Sequence, residues 1–261
     1  MKKIGLLLIF GLLSVLFSGC NVSVVPIKPG KIQTITKDVN NFNSIDIRSA
    51  MQAHITISDV EEVIVEAGEN LLQYLVVEVV NNVLKIHYNK SISIQGASPV
   101  IHIKMKDLRT VKQSGATTVT LNSNGFNFST LNFEISGASK FSAKNLTANT
   151  FNLGLSGASN FDCSEFVAQN CVFDGSGASK INLKNGTSEN LKLNLSGASS
   201  FKDFGFVSQY ADLNLSGASR AELTVEKELS VIASGASKFY YKGNPVMRNI
   251  EVSGASQIVK K

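Results

Sequence analysis

Through its C-terminal half the chain alternates apolar and polar residues in short runs, and one tetrapeptide breaks those runs at near-regular intervals. Phe133 and Ile135 stand three and one residues before Ser136. Leu153 and Leu155, Leu193 and Leu195, Leu213 and Leu215, and Ile250 and Val252 hold the same places before later copies. Alternation of this kind is the mark of a half-buried β-strand. The tetrapeptide S-G-A-S begins at Ser136, Ser156, Ser176, Ser196, Ser216, Ser234 and Ser253, with variants SGAT at Ser114 and QGAS at Gln95. From Ser114 onward successive copies lie 18 to 22 residues apart. A period near twenty that tolerates slips of a residue or two signals stacked supersecondary units.

After the first serine and the glycine, which are expected to face out, the alternation places the alanine inward. The second serine and one variable residue then face out, and a large apolar residue follows: Phe141, Phe161, Ile181, Phe201, Phe239 or Ile258. Two outward residues in a row break the period of two, so the chain must bend there and S-G-A-S is a corner. The corner glycines, Gly115, Gly137, Gly157, Gly177, Gly197, Gly217, Gly235 and Gly254, can take a positive φ or let the next coil's backbone approach without a Cβ in the way. The alanine is small enough for the inside angle of a corner. The serines can hydrogen-bond backbone groups that the bend leaves unpaired.

A second alternating stretch and a turn rich in Asn, Gly and Ser complete each unit. Twenty extended residues trace about 66 Å, which suits a coil of three short sides, and eight or nine coils stacked about 4.8 Å apart make a rod about 40 Å long. The predicted fold is therefore all-β, a right-handed parallel β-helix with coils of about 20 residues and S-G-A-S corners. The handedness follows from the rule for β-crossover connections. Residues 93–261 are the repeats. Residues 42–92 alternate more strongly and carry more charge, with one candidate helical turn at Asn70 to Leu75. They are read as a β region capping the stack, because a solenoid needs an atypical first repeat over its open end. Together 42–261 form one continuous domain, and Lys260 and Lys261 discourage association through the last strand edge.

The first residues change the compartment. Two lysines and an apolar run from Ile4 to Phe17 precede Ser18, Gly19 and Cys20. Such a run is too short for a membrane-spanning helix, which needs about 20 residues, and reads as a secretory signal. The small residues before the cysteine resemble a bacterial lipobox, with Phe17 where leucine is usual. The expectation is a signal peptide over 1–19, lipidation of Cys20 and an extended tether over 20–41, so that one partner is a membrane reached through a lipid anchor. Ordinary signal cleavage with Cys20 incidental is the alternative reading. The formal charge of +5 falls when Lys2 and Lys3 leave with the signal, so the balance carries no nucleic-acid signature. Apart from Cys20 only Cys163 and Cys171 remain. The chain is no disulfide scaffold, and a bridge between the two or a pair of buried thiols are both open.

The opening FNSIDI at Phe42 to Ile47, the segment VEAGENLL at Val65 to Leu72 and the S-G-A-S corners ending in YYKGNP at Tyr240 to Pro245 resemble the family of putative auto-transporter adhesin heads, also called the GIN domain. The likeness covers most of the chain from Phe42 onward. It implies a secreted, β-helical protein of envelope lipoproteins and brings no catalytic residues.

Little chemistry stands out beside the architecture. His54, His87 and His102 have no ligand spacing, so no metal is expected. The corner lacks the carboxylate of calcium-binding β-rolls. The motif serines have no recurring base to activate them. The acids Asp162, Asp174, Asp203, Asp212 and Glu222 fall at different phases of the repeat, whereas a glycan-cleaving site needs acids that converge. Trp is absent, although Tyr210, Tyr240 and Tyr241 could partly serve as sugar platforms. No cofactor is implied, and a non-enzymatic protein is expected. One column is suggestive: four residues past the motif serines stand Thr118, Lys140, Asn160, Lys180, Ser200, Arg220, Lys238 and Gln257, a polar line whose spaced cations Lys140, Lys180, Arg220 and Lys238 could meet an anionic glycan. The plainer reading is a solvated corner whose lysines cover apolar stem and resist aggregation. The sequence thus points to a lipid-anchored envelope protein, at the outer membrane, that binds or scaffolds. A periplasmic structural or sensing module and a polysaccharide-processing enzyme are the rivals.

Overall fold

The computed structural model describes residues 25–261; the segment read as a signal peptide, 1–19, and Cys20 lie outside the described residues. The N-terminal part contains β1 (Val25–Ile27), β2 (Ile32–Lys37), β3 (Ser44–Ser49), β4 (Gln52–Ile57), β5 (Glu62–Gly68), the single helical turn α1 (Glu69–Leu72), β6 (Leu75–Val80), β7 (Val83–Tyr88), β8 (Ile92–Ile94) and β9 (Val100–Met105). Then come β10 (Thr110–Gly115), β11 (Thr118–Asn122), β12 (Asn127–Ile135), β13 (Lys140–Leu155), β14 (Asn160–Gly175), β15 (Lys180–Leu195), β16 (Ser200–Leu215), β17 (Arg220–Ala233), β18 (Lys238–Lys242), β19 (Val246–Val252) and β20 (Gln257–Lys260). The coils stack in parallel into a β-solenoid of about 8 turns with about 20 residues per coil.

β13 to β16 each run through sixteen residues, yet none is straight. Between β13 and β14 the pairing covers 140–143, 145–148 and 150–155 and skips one residue at each break. At those breaks, Lys144 with Asn145 and Asn149 with Thr150, two neighbouring residues both point away from the core. The polar doublets turn the chain, and the S-G-A-S corner supplies the third bend, so each coil has three sides. Inside them phenylalanines stack from coil to coil. Phe141 and Phe161 lie parallel with centroids 5.6 Å apart, and Phe151 meets Phe133 edge-on at 5.2 Å. All four are buried, and burial of such a side chain contributes about 1.5–3 kcal/mol.

At the other end the chain doubles back. β3 pairs in parallel with β10 on one side and β7 on the other, and β4 does the same between β11 and β9. Beyond β7 and β9 the strand direction reverses, because β6 pairs antiparallel with β7 and β5 with β9, and β2 lies antiparallel on β5. A parallel stack ends there in antiparallel pairs closed by short connections, which is the economical way to turn the chain.

The corners correct one expectation. The alanine faces solvent and the second serine is buried: Ala138, Ala158 and Ala178 are exposed, whereas Ser139, Ser159 and Ser179 are at most 1% exposed. The inside angle of the corner is lined with carbonyls of the preceding coil, and a hydroxyl can donate to them where a methyl cannot. Ser159 Oγ donates to Ile135 O at 3.2 Å, and Ser199 Oγ to Gly175 O at 3.1 Å and Ser196 O at 2.7 Å, whereas the Ser179 and Ser219 hydroxyls are buried without a partner among the described residues. The alanine contributes its N–H. Ala158, Ala178 and Ala198 each donate to the glycine carbonyl one coil back at 2.7–2.8 Å. The glycines take φ from +65° to +83° along the stack. At Gly177 an added Cβ would stand 2.5 Å from the carbonyl oxygen of Gly157. Glycine is thus needed twice over, for its backbone angle and for the approach of the neighbouring coil.

Candidate ligand-binding groove

The side of the coil that leads into each corner carries an open groove of about 800 Å³ along the solenoid. Strand register builds it. The residue two positions before each motif serine stacks on its counterpart: Lys112 on Glu134, then Gly154, Asp174, Asn194 and Asn214. Asp46 extends this column at one end and Ile232 at the other. The first serine of each corner forms the second wall. Eight rungs about 4.8 Å apart give the groove a length of about 34 Å.

All of its charges but Asp174 are paired locally. Arg48 donates to both carboxylate oxygens of Asp46, at 2.9 and 2.6 Å, and the hydrogen bond and charge of Asp46 push the guanidinium pKa further up. Lys112 Nζ lies 2.9 Å from Glu134 Oε2. Asp174 has no cationic partner among the described residues and accepts the Asn194 side-chain N–H at 2.6 Å, while Asn214 donates to Asn194 at 3.0 Å. The serines divide into two sets. Ser136 and Ser176 donate to Gln113 O and Leu155 O, at 3.1 and 3.3 Å, which leaves their oxygens as acceptors. The hydroxyls of Ser156, Ser196 and Ser216 have no hydrogen-bond partner among the described residues and are free to donate as well. At Gly154 the floor carries no side chain, and a Cβ built there would meet nothing closer than Phe133 O at 3.8 Å.

The cationic column lies on the other side of the corner, behind the exposed glycine and alanine. Lys140, Lys180 and Arg220 fall in register with one residue between successive members, and Lys238 pairs directly with Arg220. Two of the four are engaged. Lys140 Nζ sits 3.0 Å from Asp162 Oδ2, and Arg220 Nε sits 2.5 Å from Glu222 Oε1 with its guanidinium 4.5 Å above the Tyr240 ring. Lys180 and Lys238 have no ion pair among the described residues.

The remaining candidates are dispersed. His54 and His102, far apart in sequence, are cross-strand neighbours with rings stacked at 5.4 Å, and His102 Nε2 lies 3.4 Å from Glu66 Oε1. Sequence spacing could not show this, because the contact is made between coils. Among the described residues no group of three or more His, Cys, Asp or Glu is arranged to hold a metal ion. Of the candidate acids, Asp212 has no hydrogen bond or ion pair among the described residues, and the others are held by neighbours. Asp162 accepts from Asn182 at 2.7 Å, and Asp203 accepts the Gly205 N–H at 2.7 Å, where burial pushes its carboxyl up. Cys163 and Cys171 are free, buried thiols, and burial pushes both up to about 12.

Residues 41–245 match the family described as putative auto-transporter adhesin, head GIN domain. The chain belongs to that family. This GIN-domain chain has the fold of a solved adhesin called putative from Parabacteroides merdae, with a TM-score of 0.84 at 19% identity over 91% of this chain and 100% of that one. A second such adhesin, from Parabacteroides distasonis, gives 0.81 at 19% identity over 90% and 100%. A protein from the same species called a putative lipid binding protein gives 0.68 at 18% identity over 90% and 99%. A comparison with curated proteins finds no match. At such identities the likeness establishes the β-solenoid and leaves the ligand to be argued from the residues.

Proposed function

We propose that this GIN-domain chain is a lipid-anchored protein of the bacterial cell envelope, held at the outer membrane through Cys20, whose rigid solenoid binds or scaffolds and does not turn a substrate over. The observation that carries this reading is the repetition of the polar surface. A groove and a cationic column run in register along one rod, while Asp162, Asp174, Asp203 and Glu222 are each held by a neighbour. Rungs repeated at one spacing suit a polymer, whose own repeat can meet several of them. Catalysis asks for one place where acid and base converge.

Within this reading the cationic column meets an anionic envelope glycan, with Lys180 and Lys238 as its free charges and Lys140 and Arg220 released from their acids on contact. Replacing Lys140, Lys180, Arg220 and Lys238 with serine should leave the fold intact and abolish retention of the purified chain on immobilised alginate. Unchanged retention would remove the column as a site. Protease shaving of intact cells, with a lysed control, tests the placement. Loss of the chain from intact cells supports an outward adhesin-like role. Loss only after lysis supports a periplasmic structural role.

A further inference from the structure

We infer that the groove leading into the serine corners takes an uncharged, hydroxyl-rich polymer, an oligosaccharide chain laid along the solenoid axis. The inference rests on the binding reading above and names the ligand class of a second face. Three observations carry it. First, the ionic groups at the groove's N-terminal end are already paired with one another, Arg48 with Asp46 and Lys112 with Glu134. The remaining charge, Asp174, is a carboxylate without a cationic partner, which would repel an anionic chain rather than attract it.

Second, the walls offer both senses of hydrogen bond at a constant rise. Ser136 and Ser176 are committed as donors to the protein, so they face a ligand as acceptors. Ser156, Ser196 and Ser216 can donate or accept. A hydroxyl-bearing ligand satisfies both kinds, whereas an acyl chain would leave these groups without partners and lose affinity. Third, the rungs rise about 4.8 Å. The repeat of a pyranose and its glycosidic link in an extended chain is close to that rise, so successive rings can keep step with successive rungs and bring hydroxyls to each. An extended peptide rises about 3.3 Å per residue and drifts out of phase with them. A peptide strand also needs a free sheet edge for its backbone, and this groove is a sheet face whose backbone is already paired in the ladders.

Gly154 provides the test. It sits in the middle of the groove, its φ lies outside the positive range, and it has room for a Cβ. Gly154→Ile therefore fills the groove at mid-length with a strand-compatible side chain that offers no hydrogen bond. Binding of maltohexaose, cellohexaose and mannohexaose to the full chain would be measured by calorimetry, with oligogalacturonate and palmitate as comparison probes. At least one neutral hexasaccharide should bind. Gly154→Ile should weaken it at least tenfold with an unchanged circular dichroism spectrum and melting temperature, and Val167→Asn, on another face, should not. Shortening the bound sugar from six units to three should also weaken binding at least tenfold.

Failure of every neutral hexasaccharide to bind overturns the inference, as does binding that Gly154→Ile leaves unaltered. Palmitate binding blocked by Gly154→Ile with no sugar bound would assign the groove to an acyl chain and overturn it as well. The wider binding reading fails separately: it survives any of these results if the chain is still retained on alginate through Lys180 and Lys238.

Discussion

Replacing Gly177 with alanine separates the two reasons for glycine at the corners. Gly177 has φ +70°, and a Cβ there would lie 2.5 Å from Gly157 O and 3.0 Å from Gly157 N. The left-handed angle alone destabilises a non-glycine residue by about 1–2 kcal/mol, partly offset because alanine restricts the unfolded chain by roughly 0.4–1 kcal/mol. The clash adds to this. Both partners are backbone, so no side chain can swing aside, and the coils must part at the corner where Ala178 N donates to Gly157 O at 2.7 Å. Losing that bond costs about 0.5–1.5 kcal/mol, and loosened packing of the neighbouring coils brings the expected total to about 3 kcal/mol.

Gly125 is the internal reference. Its φ is +74°, and a Cβ there meets nothing within 4 Å, so Gly125→Ala reports the angle without the clash and should cost about 1 kcal/mol or less. Thermal unfolding followed by circular dichroism reads the difference. In a domain of this size 1 kcal/mol moves the midpoint by about 2–4 °C, so Gly177→Ala should lower it by about 6–12 °C and Gly125→Ala by no more than about 4 °C. Equal shifts for the two variants would refute the claim that close approach between coils, in addition to backbone angle, dictates glycine.

The inverted corner makes its own prediction. Ser159→Ala, which removes a buried hydroxyl bonded to Ile135 O, should destabilise by about 1 kcal/mol, while Ala158→Ser, at an exposed position, should fall within about 0.5 kcal/mol of the parent in urea titration. The opposite order would restore the inward alanine. Cys163 and Cys171 should resist iodoacetamide at pH 8 in the folded protein and label fully in urea, read by mass spectrometry. Their folded pKa, about 12, lies above the unfolded value of about 8.5. Their contribution to stability is therefore complete below about pH 8.5 and lost as pH rises toward 12. A urea midpoint that rose between pH 9 and 11 in the parent, relative to the double Cys→Ala variant, would contradict their burial.

The sequence by itself determined the coil. Its period, its three sides and the corner at each S-G-A-S follow from counting which residues alternate and where two polar residues fall together, because in a solenoid every coil meets the same environment and local pattern repeats as local structure. What counting could not settle was the corner's phase. Alanine is apolar and serine polar, so transfer preference turns the alanine inward. The folded corner reverses this, because its inside angle faces carbonyls of the preceding coil, to which a buried hydroxyl such as that of Ser159 can donate and a methyl cannot. The cationic line of Lys140, Lys180, Arg220 and Lys238 was legible as a column. That Asp162 and Glu222 occupy two of its members was not, since Asp162 reaches Lys140 across coils and Arg220 chooses Glu222 through side-chain geometry. The His54–His102 stack and the groove around Gly154 arise only between coils. Only the tertiary structure could decide them, because a groove is a relation among rungs, and side chains about twenty residues apart become neighbours only when the stack forms.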